Sequence, residues 1–173
     1  MTGYSLLELM TALGMAALLG VLGLPPLTAQ WDRARLDAGL AALGGSLLFA
    51  RGEAQRLQRA VHVCAAHINR VQELVGCRGR PGDGGYRWDG ALVFFNGAEG
   101  DVRYQSGNAL RLNLFDAALA VRSAASPLRV VPDGRIRPPV RFILRLRRQC
   151  AVLDVDASGH GKACRGERCA GCR

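Results

Sequence analysis

The residues best suited to metal or redox chemistry are the cysteines, and three of the six lie within the last ten residues. Cys169 and Cys172 have the Cys-x-x-Cys spacing of a zinc ligand pair. Cys164 with Cys150 or His160 would complete four ligands. In an oxidising compartment the same thiols form disulfides, and six cysteines without an early metal-ligand spacing favour that outcome. We therefore expect disulfides, and neither a metal nor any other cofactor.

Nucleophilic or acid–base catalysis has little support in the sequence. The three histidines, His62, His67 and His160, are scattered, and spacing links none of them to a serine or cysteine nucleophile. Ser158, two residues before His160, is better explained by a turn. The Gly-rich stretch RGRPGDGGYRWDG lacks the Lys-Ser/Thr ending of a phosphate-binding loop. The sequence thus predicts a protein that is not an enzyme.

The charge of the chain is strongly positive. Its formal net charge is +9 at pH 7, and residues 129–173 hold 11 Lys/Arg against 4 Asp/Glu. Such a balance points to a polyanionic partner, either nucleic acid or a membrane surface. The alternative is an ordinary solvated face, and no aromatic residues interleave the charges as a platform for single-stranded bases.

The amino-terminal segment from Tyr4 to Leu24 is apolar and has about the 20 residues that a helix needs to cross a bilayer. Glu8 is its one charged residue, and a carboxylate in such a segment needs a partner or a function. A secretory signal peptide is an alternative, but no Lys or Arg precedes the run and the LTAQ sequence fits a cleavage site poorly. An ordinary membrane anchor is the other alternative.

The sequence GYSLLELM, followed by the apolar stretch and Pro25, resembles the class III signal of type IV pilins and pseudopilins. The resemblance implies that residues 1–3 are a leader, which a prepilin peptidase removes by cutting between Gly3 and Tyr4. It also implies N-methylation of Tyr4, and pairing of Glu8 with the free amine of a neighbouring subunit. Residues 4–24 would then be the transmembrane and assembly helix.

An amphipathic helix is predicted to continue through residues 25–60. Pro25 and Pro26 lack amide donors and are expected to kink it. Beyond them one apolar face recurs at spacings of three and four, formed by Leu36, Leu40, Leu43, Leu47, Ala50, Ala54 and Leu57. The residues expected off this face, in solvent, are Arg33, Asp37, Arg51, Gln55 and Arg59.

Residues 61–173 are predicted to form a β-rich domain. Short runs with strand character alternate with Gly, Pro, Asp and Asn clusters, and the runs are VHVCA, ALVFFN, ALRLNLF, LRVV, VRFILRLR and CAVLDV. In VRFILRLR the apolar residues alternate inward, with Arg141, Arg145 and Arg147 on the other face. The predicted fold class is α+β and pilin-like, with a long N-terminal helix, membrane-spanning in its first half, packed on an antiparallel sheet of six or more strands.

Nearly the whole chain resembles the FimT/GspH family of minor pilins and pseudopilins. The resemblance depends on ARGEAQRLQRAVHVC, the W-x-G-x-L-V-F sequence from Trp88 to Phe94, a Pro-x-Gly segment at Pro132 to Gly134, and DASGHGKACR. It implies a filament subunit of a type II secretion pseudopilus or a type IV pilus. Its partners would be other subunits, the prepilin peptidase and the bacterial inner membrane, which a single helix spans with the C-terminal domain in the periplasm.

An alternative that the resemblance also implies is DNA capture for natural transformation, as in some FimT proteins. The candidate contacts are Lys162, Arg165, Arg168 and Arg173. Neither alternative decides which machine contains the subunit.

Six cysteines allow 15 complete pairings. We expect Cys64 to join Cys77 and close the first loop. Cys150 and Cys164 should lie roughly opposite one another across a hairpin that turns near Ser158, and we expect them to pair. Cys169 and Cys172 would then bridge each other or stay reactive.

Overall fold

The computed structural model describes residues 5–71, 73–95, 104–166 and 168–172. For residues 19–27 and 106 it describes the backbone only. Within these residues one long helix is followed by eleven strands, and a 3-10 turn at Ser106–Asn108 precedes the fifth. The elements are α1 Leu6–Leu57, β1 Val61–Ile68, β2 Leu74–Cys77, β3 Tyr86–Trp88, β4 Gly90–Phe95, β5 Ala109–Leu114, β6 Ala120–Ser123, β7 Leu128–Val130, β8 Ile136–Arg137, β9 Val140–Leu146, β10 Gln149–Val155 and β11 Gly161–Arg165.

The strands form two antiparallel sheets. The first has the order β5-β4-β1-β7-β8, with β2 also paired to β1, and the second has the order β11-β10-β9-β6-β3. All six predicted runs are strands, so the predicted helix on antiparallel β-structure is confirmed. The division into two sheets was not predicted, because it depends on which strands pair, and the alternation within a single strand does not reveal its partner.

The helix α1 is continuous in its backbone through Pro25 and Pro26, which were expected to kink it. The chain divides between Ala34 and Arg35 into two compact units. The unit from Arg35 onward contains the later part of α1 and both sheets, and its helix segment ends at Leu57, before the chain enters β1.

One face of α1 beyond Arg35 is part of the core, as the sequence predicts. Leu36, Leu43, Leu47, Ala50 and Ala54 are buried, and they share one apolar cluster with residues of both sheets. Leu40 and Leu57 pack against the same cluster at its edge. Burial of a leucine side chain contributes about 1.5–3 kcal/mol, so packing holds this glycine-containing helix in place.

Gly39 has a packing role within this segment of α1. A Cβ built at Gly39 would overlap Cδ2 of Leu119, a buried residue from the loop before β6. A glycine was not expected here from the sequence, because the contact joins residues that are far apart along the chain. Absence of a side chain at this position lets the loop approach the helix closely.

Sheet packing on the second sheet is organised around Trp88. Its indole Nε1 donates a hydrogen bond to Ser123 Oγ at 2.8 Å, and its ring meets Phe142 edge-on with 5.1 Å between the centroids. In β9, Val140, Phe142, Leu144 and Leu146 are buried and Arg141 and Arg145 are exposed, which confirms the predicted alternation. The strand β9 is paired with β6 on one side and with β10 on the other.

Arg51 contradicts the expectation that it lies in solvent. Its side chain is half-buried beneath the turns after β7 and β10, where Nη1 lies 3.4 Å from the carbonyl oxygen of Gly159. A Cβ at Gly134 would lie 2.8 Å from Arg51 Nε, and one at Gly159 would lie 2.6 Å from the carbonyl oxygen of Gly134. Helical periodicity places Arg51 off the apolar face, but two turns from distant parts of the chain cover it.

Candidate functional site

The start of α1 presents a row of exposed apolar side chains. Between 58% and 78% of the surface of each is accessible at Leu6, Leu7, Leu9, Met10, Leu13, Met15 and Leu18. Exposed apolar patches of this extent mark surfaces that contact a protein or a membrane. Within the part of the chain that the structure describes, no helix combines the length and apolarity of a membrane span.

Glu8 lies in the first turn of α1, beside Ser5. The backbone N–H of Glu8 donates a hydrogen bond to Ser5 Oγ at 3.3 Å and one to the carbonyl oxygen of Ser5 at 3.0 Å. Ser5-Leu6-Leu7-Glu8 therefore has the Ser-x-x-Glu pattern of a capping box, and the helix dipole favours an acid at this position. This local role of Glu8 was not predicted. Among the described residues no cation lies within 4 Å of the Glu8 carboxylate, and Gly3 and Tyr4 lie outside them.

All six cysteines are paired. Cys64 joins Cys77, which confirms the first predicted bridge, and it links β1 to β2. The predicted Cys150–Cys164 bridge is wrong, because Cys150 joins Cys172 and Cys164 joins Cys169. The register explains the difference: Cys164 lies opposite Val152 in the β10–β11 pair.

The tail after β11 turns back over the second sheet. Gly166 N–H donates to the carbonyl oxygen of Cys150 at 2.8 Å, and Arg145 Nη2 donates to the carbonyl oxygen of Gly171 at 2.9 Å. A Cβ at Gly171 would lie 3.1 Å from Ile143. The two disulfides therefore fasten the tail to the sheet, and we call residues 164–166 and 168–172 the tail clasp.

A zinc site in the tail clasp would need free thiolates, and each cysteine there is bonded to another cysteine. Among the described residues no group of three His, Cys, Asp or Glu side chains is close enough to hold a metal. His160 Nδ1 lies 2.7 Å from Ser158 Oγ within the turn between β10 and β11. That contact belongs to a hydrogen-bonded turn on Asp156, whose carboxylate also accepts from the His160 N–H at 2.9 Å.

Three of the four predicted DNA-contact residues, Lys162, Arg165 and Arg168, are exposed, but acids lie beside two of them. Arg165 Nε lies 2.6 Å from Asp37 Oδ1 of α1. Lys162 lies opposite Asp154 in the β10–β11 register, and Asp154 pairs with Arg141 at 2.5 Å. Arg168 is exposed in the tail clasp. Arg173 lies outside the described residues.

A second group of cations, which the sequence analysis missed, lies on the first sheet. Arg129 of β7 and Arg137 of β8 are direct neighbours in the antiparallel register, and His62 of β1 is the next neighbour of Arg129. Arg129 and Arg137, with Val131, Pro132, Asp133 and Arg135 of the connecting turn, line an open pocket of about 410 Å³. We call this the hairpin pocket. The signal in the sequence is the Pro-Asp-Gly turn at 132–134, with an arginine four residues to either side of Asp133.

His62 lies opposite Arg129 in the β1–β7 pair, and it is buried beside the hairpin pocket. It is 7% exposed, and its ring stacks on Phe94 of β4 with 5.4 Å between the centroids. Burial lowers the pKa of the His62 imidazole, and the Arg129 guanidinium lowers it further. The neutral ring is therefore favoured, and its Nδ1 atom has no hydrogen-bond partner among the described residues.

The helix, the two antiparallel sheets and the exposed apolar start of α1 together define a pilin-like subunit. Two crystal forms of the type IV minor pilin FimU of Pseudomonas aeruginosa have a similar fold. They superpose with TM-scores of 0.53 and 0.55 at 17% and 19% identity, and cover 78% and 80% of this chain and 99% and 98% of FimU.

Residues 40–159 match the family described as type II transport protein GspH, which is more than half of the chain. The chain belongs to the GspH family. No curated protein matches the sequence significantly. The predicted resemblance is thus confirmed at the level of family and fold, and GspH-family proteins are subunits of pilin-like assemblies.

Proposed function

We propose that this protein is a non-enzymatic minor pilin or pseudopilin subunit that assembles into a filament through the start of α1. The main support is the row of exposed apolar side chains there. The Glu8 carboxylate interrupts this row and has no cation within 4 Å among the described residues. A charge buried in a filament or a membrane without a partner costs several kcal/mol, whereas a matched charge is tolerated. The free amine of Tyr4 on a neighbouring subunit is the proposed match.

Before assembly, a prepilin peptidase is proposed to cut between Gly3 and Tyr4 and Tyr4 to be N-methylated. The subunit would then stay in the inner membrane through residues 4–24, with the domain from residue 61 onward in the periplasm. Three disulfides within that domain fit an oxidising compartment. Replacement of Gly3 by valine should leave the uncut form in the membrane fraction, detectable by mass, because the peptidase needs a residue without a side chain at the cut.

The capping role of Glu8 gives the assembly proposal a sharp test. Glu8→Gln keeps a residue that the capping box accepts but removes the charge, whereas Ser5→Ala removes the cap and keeps the charge. If the carboxylate pairs with an amine, Glu8→Gln should be processed and should enter filaments poorly. Ser5→Ala should still assemble, because loss of a cap costs only about 1 kcal/mol.

Filament content is measured by immunoblot of sheared filaments against the membrane fraction. Normal incorporation of Glu8→Gln together with loss of Ser5→Ala would show that Glu8 only starts the helix. A deletion strain assigns the subunit to one of two assemblies. Loss of protein secretion would indicate a secretion pseudopilus, and loss of pili would indicate a type IV pilus.

DNA capture by β11 and the tail clasp is a second candidate function, supported by the exposure of Lys162, Arg165 and Arg168. Duplex binding by these side chains should be independent of sequence. The logarithm of affinity should fall with the logarithm of salt concentration by about 0.9 per neutralised phosphate. Because Asp37 and Asp154 lie beside two of the three, the structure favours a shallower slope than three unpaired cations would give.

The experiment uses the full chain in detergent and compares the triple variant Lys162→Gln, Arg165→Gln, Arg168→Gln with a control. Arg33→Gln with Arg59→Gln is the control, because both arginines are exposed, Arg33 on α1 and Arg59 just after its end. Arg51 is unsuitable, since it packs beneath two turns. Equal weakening in both variants, or no binding near physiological salt, would leave the protein a structural subunit only.

A further inference from the structure

The hairpin pocket places two positive charges face to face. Arg129 and Arg137 are paired directly across β7 and β8, and their neighbours Leu128, Val130 and Ile136 are buried in the core. Alternation along a strand therefore puts both arginines on the outward face of the sheet. Cβ atoms of directly opposed residues lie about 4.5–5.5 Å apart, and like charges in that position destabilise the pair. An unliganded hairpin thus carries an electrostatic cost that an anion would remove.

Among the described residues no carboxylate forms an ion pair with either arginine, although the charge of Asp133 is near enough to interact with that of Arg137. Neither Arg129 nor Arg137 has a carboxylate oxygen within 4 Å, in contrast to Arg141 and Arg165 on the other sheet. The pocket contains one acid, Asp133, and Arg135 already binds it. Arg135 Nε and Nη2 both lie 2.5 Å from Asp133 Oδ2, and the Arg135 guanidinium holds the pKa of the Asp133 carboxyl below its usual value.

The surroundings of the pair are suited to an anion rather than to a metal or an apolar ligand. Three guanidinium groups and one carboxylate line the pocket, which gives it a formal charge of +2. On the strand beside Arg129, His62 is buried and its ring stacks on Phe94, so it does not add an acid or a second open face to the pocket. The pocket is open to solvent, so an anion attached to a larger molecule can reach it.

We propose that the hairpin pocket binds a phosphate group, with Arg129 and Arg137 holding its oxygens from two sides. Guanidinium groups bind phosphate oxygens through parallel N–H donors, and two opposed arginines present such forks to the several oxygens of one tetrahedral anion. Arg135 lies at the turn and screens Asp133 from the incoming charge. This site lies on the first sheet, whereas the tail clasp lies on the second, so it is separate from the DNA-contact residues considered above.

The phosphate can come from two sources, a free phosphate ion or the backbone of a DNA duplex, and the test distinguishes them. Thermal unfolding of the full chain in detergent is followed in chloride buffer and then with added sodium phosphate at equal ionic strength. At ten times the dissociation constant, the melting temperature should rise by about 3–6 °C. The double variant Arg129→Gln, Arg137→Gln should show no such rise.

The variants also report on the repulsion itself. In phosphate-free buffer at low salt, Arg129→Gln, Arg137→Gln should melt no lower than the wild type, because both arginines are exposed and their repulsion is gone. Arg129→Lys, Arg137→Lys keeps the charge but loses the paired N–H donors of the guanidinium groups. Phosphate should therefore raise its melting temperature less than that of the wild type. The control Arg33→Gln, Arg59→Gln removes the same charge from residues that do not line the hairpin pocket and should keep the full shift.

The second arm titrates a short duplex against the same proteins. If the backbone is the source, the duplex should bind the wild type and the tail-clasp variant at least tenfold more tightly than the Arg129→Gln, Arg137→Gln variant. If free phosphate is the source, phosphate alone should give the shift and the duplex affinity should be equal in all three proteins. An equal phosphate-induced shift in wild type and double variant, or no shift in either and no difference in duplex affinity, would overturn the proposal.

Discussion

Gly134 and Gly159 allow two turns to meet above the guanidinium group of Arg51. Both glycines have a positive φ, of +83° and +81°, which other residues adopt only at a cost. The space around them is equally restrictive, since the nearest atoms to a Cβ are the Arg51 side chain at Gly134 and a backbone carbonyl oxygen at Gly159. A flexible side chain can move aside, but a carbonyl oxygen within a turn cannot do so easily. The two sites should therefore differ in their tolerance of a methyl group.

The first prediction contrasts Gly159→Ala with Gly52→Ala. At Gly159 the strained φ and the overlap with Gly134 should destabilise the domain by about 2–4 kcal/mol. At Gly52, in α1, nothing lies within 4 Å of a Cβ, so alanine should stabilise the helix by about 0.5–1 kcal/mol. Denaturant unfolding of both variants measures the two changes. Effects of the same sign would contradict the described packing around Arg51.

A second prediction concerns His62. Its pKa is lower in the folded chain than in the unfolded chain, so between the two values the unfolded chain binds more protons, and stability falls as pH decreases. The histidine contribution is fully present above about pH 6.5, the unfolded value, and is lost as the pH falls through the folded value. Hydrogen bonds from Arg135 and Ser158 lower the pKa of the Asp133 and Asp156 carboxyls, so neither shift favours protonation of these carboxyls between pH 7.5 and pH 5.

The measurement is the melting temperature from pH 7.5 to pH 5 in the wild type and in His62→Gln, which cannot titrate at this position. The wild type should lose more stability over this range than the variant. Parallel curves would mean that His62 accepts a proton as easily in the folded chain as in the unfolded one.

Helices and strands with a regular apolar pattern were predictable from the sequence, whereas the strands that pair with them were not. The apolar face of α1 and the alternation in VRFILRLR are local patterns, and the structure confirms both. The strand β8 has two residues, and β11 is exposed throughout, so neither leaves a pattern to recognise. Their pairing determines that Arg129 faces Arg137 and that Cys164 faces Val152. The site features that were missed thus depend on contacts between distant segments.

The tail clasp gives a prediction at the level of elements, because its two disulfides close loops of different length. Cys150 and Cys172 are 22 residues apart and Cys164 and Cys169 are 5 apart. On the chain-entropy estimate the longer loop contributes about 3.4 kcal/mol and the shorter about 2 kcal/mol. Replacement of Cys150 and Cys172 by alanine should therefore lower stability more than replacement of Cys164 and Cys169.

Non-reducing peptide mass spectrometry checks the pairing before the stabilities are compared. It should recover linked peptides for Cys64–Cys77, Cys150–Cys172 and Cys164–Cys169. A linked pair of Cys150 with Cys164 would restore the pairing expected from the sequence and contradict the described tail clasp.

At the scale of the whole molecule, the two parts of α1 have different surroundings. The buried hydrophobic residues of the described chain begin at Leu36, whereas the large apolar residues from Leu6 to Leu18 are exposed. Deletion of residues 1–27 should therefore leave the melting temperature of the domain within about 2 °C of the full chain in detergent, since no described core residue is removed. Loss of a cooperative thermal transition on deletion would show that the first half of α1 contributes to folding.

The Cys150–Cys172 bridge also determines where a mechanical load enters the domain. The strand β11 lies at the edge of the second sheet, and a pull on an edge strand would separate its backbone hydrogen bonds one after another. Force applied beyond Cys172 passes instead through the disulfide to Cys150 in β10, which is bonded to strands on both sides. Those two ladders must then be sheared together. In a filament under tension, the domain would resist extension through a covalent bond and a central strand.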